Sequence, residues 1–434
     1  MTGATIAETL AADRPLSLAQ IAELIRRHAP IIYFHPEEAY FPSSIEWYLA
    51  RAVLVDAADG AVVLRHPAPT DLPPGPLDPA VPDAFWLSFD PELAGPAIEP
   101  HLAPADDPRR GNLASASAYV RAVHHPDQGA TDLQFWMFYP YDGPGLARLR
   151  PVELGSTRAD HLLNLWPGGM HEADWELAVV RIDHATLEPS AVFTSQHKDG
   201  DCHAGAEAMG KLERDDTGRI RLYSSLYGHA TYAHAEERKL FYAWKRLAIC
   251  GFELALVDQT RPGRSWNLGD PGNHLLVSTS WNDPELPEPG WQQFPWRWGA
   301  RDPAGGRFTR RFVDALKSLL EGKMATTVLL LHVVTLGLSA IAFAFAAVIL
   351  GGKLGTRLLG SAADNSGPVG PRWQPHKWNG DYGFAGPPPP VAWRAEGHPI
   401  ARHLTGLSNI VCYLPVRLVS ALFALVALPF LPKT

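Results

Sequence analysis

Short strand-like segments recur along the first 300 residues, and turns rich in glycine, proline or aspartate close them. The clearest are residues 133–141, 175–182, 191–196 and 220–226. Apolar runs of this length between such turns are typical of β-strands. Regular helical spacers, which a βαβ fold requires, do not separate them. The sequence therefore predicts a mainly β fold, a β-sandwich with long loops, over residues 30–309.

Residues 1–29 are predicted to form an N-terminal helical segment. Ser17 and Gln20 have the spacing of a capping box, in which each side chain bonds to the other residue's backbone N–H. Ile21, Leu24 and Ile25 follow at helical spacing, and Pro30 ends the pattern. This helix is expected to be structural.

The pattern changes after residue 309. Residues 310–352 read as an amphipathic helix followed by a transmembrane helix, because residues 324–350 contain no formal charge and a bilayer core needs about 20 apolar residues. A Pro/Gly/Trp-rich linker is predicted over residues 353–403. Residues 404–434 form a second apolar, membrane-associated segment, which Pro415 and Arg417 interrupt. A kinked second span, a re-entrant segment and an interfacial helix all remain open for it.

Charge is distributed unevenly between the body and the tail. From Lys323 onward there are nine basic and three acidic residues, whereas the whole chain has a net charge of −8. An acidic body argues against nucleic acid as a partner, and a basic tail suits an anionic membrane surface. Membrane lipid is the expected partner, and the sequence identifies no protein partner. The apolar C-terminal segments predict a membrane-anchored protein, and because the N-terminus shows no secretory pattern, the main domain is predicted to lie in the cytosol.

One stretch combines the residue types of a cation site. Asp174 and Glu176 lie two positions apart in a predicted strand, so their side chains share a face about 7 Å apart. Two neighbouring carboxylates repel each other unless a cation, a proton or a basic group lies between them. His171 lies just upstream, in a predicted loop. His197 and His229, at the ends of later strands, are possible neighbours.

These five residues are the predicted ligands of a divalent metal cation of unknown identity. Two plainer interpretations stay open at this point. The carboxylates of Asp174 and Glu176 would face water on a surface strand, and each histidine would order its loop by hydrogen bonding.

Several enzyme signatures are excluded. His171 and Glu172 begin like a zincin helix, but Trp175 occupies the position of the second histidine. The chain has no G-x-S-x-G nucleophile elbow, no P-loop and no G-x-G-x-x-G motif. Whether the protein is an enzyme stays undecided, and no catalytic residue is assigned.

Five separated motifs, in order, resemble the vacuolar protein sorting-associated protein 62 family. They lie at residues 32–47, 136–141, 171–176, 195–197 and 227–232, and residues 288–299 resemble the end of that domain. The resemblance covers roughly residues 29–300. The family's name implies an association with trafficking rather than a known reaction.

The H-x-x-D-W-E core is also similar to the G-H-R-H-D-W-E heptad of necrosis- and ethylene-inducing peptide-like toxins. That resemblance implies a β-sandwich that binds a divalent cation and acts on membranes. His171, Asp174 and Glu176 match the heptad, whereas Ala173 replaces its second histidine. Cation coordination is therefore expected, and toxin activity is not.

Three hypotheses follow. The first is a membrane-anchored β-sandwich protein with a divalent-cation site and a binding or trafficking role. The second is a metal-dependent hydrolase acting on a lipid or membrane-proximal substrate. The third is a structural interaction domain without metal.

Overall fold

The computed structural model describes residues 14–76, 83–95, 103–150, 153–154, 157–158, 161–164, 169–196, 199–242, 253–300 and 365–382. Its α-helices are α1 (Leu18–His28), α2 (Ile45–Leu49), α3 (Gly205–Gly210) and α4 (Pro375–Trp378). The strands in chain order are β1 (Ile31–Tyr33), β2 (Ala52–Asp56), β3 (Val62–Arg65), β4 (Phe85–Phe89), β5 (Ala118–His125), β6 (Ala130–Asp142), β7 (Leu146–Arg150), β8 (Glu153–Leu154), β9 (Thr157–Arg158), β10 (His161–Asn164), β11 (His171–Asp183), β12 (Pro189–Gln196), β13 (Asp199–Ala204), β14 (Arg221–Ser224), β15 (Thr231–Tyr232), β16 (Glu237–Tyr242), β17 (Glu253–Gln259), β18 (Ser265–Asn267) and β19 (His274–Thr279). Short 3-10 helices cover Pro69–Asp71, Pro108–Arg110, Pro126–Gln128, Gly290–Gln293 and Pro371–Trp373.

A six-stranded sheet with the order β13-β12-β11-β6-β5-β19 forms the centre of the fold. Its neighbours are antiparallel except for the parallel pair β5 and β19. Further sheets have the orders β15-β14-β1-β18, β10-β7-β17-β16 and β3-β2-β4, and β8 and β9 form a hairpin. The prediction of a mainly β fold is confirmed.

The central sheet is buried on both faces, which explains why β6 and β11 are almost continuously apolar. Alternate residues of a strand point to opposite faces. On β6, Phe135 and Met137 pack with Ile32 and Leu222 of the β15-β14-β1-β18 sheet. The core on the other face contains Trp136 and Phe138 of β6, together with Leu54, Leu87, Trp291 and Trp298. Continuous burial of strands 13 residues long fixes the register of β6 against β11.

Helix α1 belongs to the same folded body. The predicted capping box between Ser17 and Gln20 is present in both directions, and α1 ends at His28. Ile21, Leu24 and Ile25 are buried in the core that includes β1. The prediction of a helix that ends before Pro30 is confirmed.

Part of the predicted linker is core structure, which corrects the prediction for that part. Residues 365–382, called the returning segment below, include Trp378 and Tyr382, which are 6% and 7% exposed. The Gln134 side chain of β6 donates to the main-chain carbonyls of Lys377 and Trp378 at 2.9 and 3.1 Å. A proline- and glycine-rich composition suggested a solvated linker, but large aromatic side chains gain more free energy by burial.

The structure does not describe the two segments that were predicted to contact the membrane. Residues 324–350 and 404–431 lie outside the described residues. Within the ranges that the structure describes, no helix is both long and apolar enough to span a bilayer.

Candidate metal centre

The candidate site lies where β6 ends and β11 begins. The two strands are antiparallel, and their register pairs His171 with Asp142 and Asp174 with Tyr139. Asp142 is the last residue of β6, and His171 is the first residue of β11. The prediction that His171 lies in a loop is therefore wrong, because its pairing with Asp142 extends the strand by several residues.

Ala173 has a left-handed backbone with φ of 58° and is fully buried. Regular alternation would place His171 and Asp174, three positions apart, on opposite faces of the strand. The left-handed residue between them breaks the alternation, and both side chains come near Asp142. The Ala173 methyl group lies in the core on the other face. This position, which carries the second histidine in the toxin heptad, contributes no ligand here.

His229 comes from the turn between β14 and β15 and is completely buried. Its Nδ1 lies 3.3 Å from Asp174 Oδ2 and 3.6 Å from Asp142 Oδ1. Tyr227 and His229 have φ of 66° and 55°. Left-handed non-glycine residues cost roughly 1–3 kcal/mol each and cluster at functional sites. The turn is therefore held in a strained shape that places the imidazole against both carboxylates.

Four of the five predicted ligands lie in this region. His171, Asp174 and His229 converge with Asp142, to which His171 Nε2 approaches within 3.3 Å of Oδ2. Glu176 is 5% exposed, and its charge acts on Asp142. His197 lies outside the described residues, so its place in the site stays a prediction. His274 binds the Leu268 carbonyl through Nδ1 at 2.7 Å and so orders a loop.

Two acidic residues of the site, Asp142 and Glu38, were missed by sequence reasoning. Glu38 is buried in the turn after β1. Its carboxylate accepts hydrogen bonds from the backbone N–H groups of Ala39, Tyr40 and Tyr227, each at 2.9 Å. Its Oε1 lies 3.9 Å from His229 Nε2. Glu38 thus fastens the Tyr227 turn, which carries His229, to the turn after β1.

The electrostatics of the cluster are those of an anionic pocket. Burial raises the pKa of Asp142 well above its usual range, and the charges of Asp174 and Glu176 raise it further. Burial also raises the pKa of Glu38, against the opposing charge of His229. Burial acts in the same direction on Asp174, but the hydrogen bond with His229, the charges of His171 and His229, and the Trp175 N–H together outweigh it, and the pKa of Asp174 is lowered. A cation would relieve the repulsion among these carboxylates.

The tautomer of His171 follows from its hydrogen bond. Its Nδ1 lies 2.7 Å from the Ala173 carbonyl oxygen, which can only accept, so Nδ1 carries the proton. Burial lowers the pKa of His171, so the ring is neutral near pH 7. The lone pair of Nε2 then faces Asp142 Oδ2 at 3.3 Å. Two electron-rich atoms at this distance are compatible when a cation, or a proton on Asp142, lies between them, and metal-bound histidines commonly donate their other N–H to a carbonyl.

The donor set fits a divalent cation. Asp142, Asp174 and His229 each offer one ligand atom, and these three atoms lie within 4.8 Å of one another. The Asp142 and Asp174 side chains keep 13% and 14% exposure, so the cluster is reachable from solvent. Carboxylate oxygens with neutral imidazole suit manganese or zinc, and carboxylates with water suit calcium or magnesium.

Several solved structures are similar to this chain. The first is described as Necrosis and Ethylene inducing Protein 2 from the causal agent of cocoa's Witches Broom disease; it is 18% identical, over 49% of this chain and 67% of its own, with a TM-score of 0.25. A second is described as a toxin fold for microbial attack and plant defense; it is 15% identical, over 65% and 82%, with a TM-score of 0.29. A third is described as NLPPya in complex with mannosamine; it is 15% identical, over 61% and 87%, with a TM-score of 0.23. At these identities and TM-scores, none of the three assigns a role to this chain.

A family model, by contrast, matches most of the chain. No curated protein matches the chain significantly. The family model described as vacuolar protein sorting-associated protein 62 matches residues 9–331 of the 434. The match includes every strand of the fold and all residues of the candidate site. The chain therefore belongs to the vacuolar protein sorting-associated protein 62 family.

Proposed function

We propose that this protein is a membrane-anchored β protein that binds a divalent cation through Asp142, Asp174 and His229. His171 and Glu176 adjoin the site, and His197 is a further candidate ligand. Its role is binding at a membrane, in trafficking or envelope function. The observation that carries the proposal is the convergence of two carboxylates and one buried imidazole within 4.8 Å.

A proton-linked ion-pair network is the main alternative for the same residues. The lone pair that His171 Nε2 presents to Asp142 would be matched by a bound cation or by a proton on Asp142, so it does not separate the two. A second feature favours the cation. Asp142 Oδ1 is buried and accepts no hydrogen bond within the described part of the chain. A buried carboxylate oxygen without a donor costs free energy that coordination would recover.

A bound cation would connect three parts of the chain: the end of β6, the start of β11 and the Tyr227 turn. Asp142 and Asp174 would supply negative oxygen ligands, and His229 would supply Nδ1. Glu38 would hold His229 in place from the opposite side of its ring. The cation would supply a fixed positive charge at a partly exposed surface, suited to an anionic or polar ligand.

Membrane association is proposed from the apolar residues 324–350 and 404–431 and from the basic tail. Membrane lipid is then the expected partner, and the main domain is placed in the cytosol. The family name supports a trafficking role only in general terms.

Isothermal titration calorimetry on the full chain in detergent tests the cation site. A fragment ending before residue 365 is unsuitable, because the returning segment belongs to the core. We expect stoichiometric binding of calcium, magnesium, manganese or zinc by the wild type. The double variant Asp142→Asn/Asp174→Asn should bind none of them, and the exposed control Asp216→Asn should bind as the wild type does. No binding of any of the four ions by the wild type would refute the proposal.

A further inference from the structure

Two histidines, His124 and His184, lie together at the end of the central sheet that is far from the candidate metal centre. His124 is the penultimate residue of β5, and its register partner on β6 is Thr131. His184 directly follows β11, and its N–H donates to the Gly129 carbonyl at 2.9 Å. Asp142 stands 11 positions after Thr131 on β6, so roughly 35 Å of strand separates the histidine pair from that centre.

The two imidazole rings lie side by side, and three of their four nitrogens are unsatisfied. Their planes are 5° from parallel, and their centroids are 5.4 Å apart. Both ring nitrogens of His124 and Nδ1 of His184 are buried and have no hydrogen-bond partner in the described part of the chain. His184 is 6% exposed. Buried polar atoms without a partner cost free energy, so three of them in one pair of rings point to a bound ion or molecule.

The fourth nitrogen is compatible with metal binding by the other three. His184 Nε2 lies 2.8 Å from Thr131 Oγ1, and an Nε2–H that donates to this oxygen leaves a lone pair on Nδ1. Burial lowers the pKa of His184, and the charge of His124 lowers it further, so the His184 ring is neutral near pH 7. Neutral imidazole is the form that binds a metal ion.

The ligands that this pair offers are imidazole nitrogens only. Among the described residues, His124 and His184 belong to no group of three side chains that could share an ion. The neighbouring carboxylate of Asp183 accepts from the N–H and the hydroxyl of Thr186, both at 2.9 Å, and so closes its own turn. Structural zinc sites almost always have four ligands, and calcium and magnesium require oxygen ligands. The pair therefore suits a different ion from those considered for the Asp142 site.

Copper(I) fits the pair because it is monovalent, is stable with two ligands and accepts imidazole. Metal–nitrogen bonds of about 2.0 Å to one atom of each ring would place the centroids roughly 5–6 Å apart, which agrees with the observed 5.4 Å. The negative charge of Asp183 acts on His184 and would balance part of the charge of the ion.

We propose that His124 and His184 form a binding site for copper(I). The bound ion would join the end of β5 to the segment that follows β11. The site is independent of the divalent-cation site and of the membrane association proposed above. The protein would then hold two cations of different chemical class at opposite ends of β6.

Competition with the chromophoric copper(I) chelator bicinchoninate tests the site on the full chain, in detergent and without oxygen. Cys202, Cys250 and Cys412 are replaced by serine in every protein, because thiolates also bind copper(I). Unfolding temperature is the check on folding. We expect this parent protein to take one copper(I) ion per chain from the chelator. His124→Gln/His184→Gln should weaken the binding by more than about a hundredfold, since loss of a supporting contact alone costs about ten- to a hundredfold.

Two control variants locate the bound copper. His376→Gln, at an exposed position, and Asp142→Asn/Asp174→Asn should both take up copper(I) as the parent does. No uptake by the parent, or equal uptake by the His124/His184 variant, would overturn the inference and leave the divalent-cation site untouched. Loss of uptake in the Asp142/Asp174 variant would place copper at the other site and would also overturn it.

Copper-edge X-ray absorption on the copper-loaded native chain provides a second measurement if either the cysteine-free protein or the histidine variant unfolds. We expect two nitrogen ligands at about 2 Å, with the scattering pattern of imidazole rings. Any other set of ligands, such as sulfur or oxygen atoms, would contradict the inference.

Discussion

The imidazole of His229 lies flat on the ring of Tyr139, with ring centroids 3.9 Å apart and the planes 13° from parallel. Tyr139 is completely buried in β6, opposite Asp174 in β11. The β6–β11 pair thus supplies both the carboxylate and the surface that orients the imidazole towards it. This stacking makes the position of His229 a property of the sheet core and not only of its own turn.

Replacing Tyr139 should therefore weaken cation binding without touching a ligand. We expect Tyr139→Leu to lower the affinity roughly tenfold, as loss of a supporting contact to a metal-bound histidine does. Tyr139→Phe keeps the stacked ring and should bind like the wild type. Calorimetry with the tightest-binding ion measures both. Equal affinity of Tyr139→Leu and wild type would show that the stack does not position His229.

Removing one charge from the cluster should stabilise the metal-free protein. Asn at position 142 is isosteric with Asp but removes a buried charge that repels Asp174 and Glu176. We expect Asp142→Asn to raise the free energy of unfolding in EDTA by about 1 kcal/mol, since replacing buried charge is often stabilising. Saturating cation should stabilise the wild type but not this variant. Destabilisation of Asp142→Asn in EDTA would indicate that Asp142 serves a structural ion pair.

The pH dependence of metal-free stability should carry the signature of Asp142. Its pKa is raised in the folded state, so between the unfolded value of about 3.9 and the folded pKa the folded protein binds more protons. Stability from this group is therefore lost as pH rises through that window. His171 and His184, whose pKa values are lowered by burial, act in the opposite direction near pH 6.

The difference between wild type and Asp142→Asn removes these shared contributions. We expect the stability of the wild type relative to the variant to fall from pH 4 to pH 7 in EDTA, as measured by urea unfolding. A bound cation should reverse the trend for the wild type. A pH-independent difference would contradict the raised pKa of Asp142.

The returning segment should matter for folding stability. Trp378→Ala leaves a cavity against Trp136 and should lower the free energy of unfolding by roughly 3 kcal/mol. Trp373, in the same segment but only partly buried, provides the matched control, and Trp373→Ala should cost much less. Thermal or urea unfolding distinguishes the two. Equal, small effects would mean that residues 365–382 are a linker after all.

The sequence predicted the parts of the fold and site that depend on local pattern. Apolar runs between turns identified β6, β11 and β12, and the spacing of Asp174 and Glu176 indicated an anionic strand face. The ordered motifs indicated the family. These features depend on residues close together in the chain, where periodicity and capping chemistry are informative.

The parts of the site that the sequence did not predict depend on strand register and on the sign of a backbone φ angle. Asp142 becomes a ligand candidate only because β6 and β11 pair His171 with it, 29 positions away in sequence. Glu38 joins the site through a turn contact with Tyr227. The left-handed conformation of Ala173 could not be read from alanine, which rarely adopts it. The one signal for Asp142 was its place at the end of an aromatic strand.

The central claim is a divalent cation held by Asp142, Asp174 and His229. Anomalous diffraction from crystals of the full chain soaked in manganese chloride tests it most directly. We predict a difference peak at about 2.0–2.6 Å from one oxygen of Asp142, one oxygen of Asp174 and Nδ1 of His229. A map with no peak at this cluster, or with peaks only at other residues, would contradict the account.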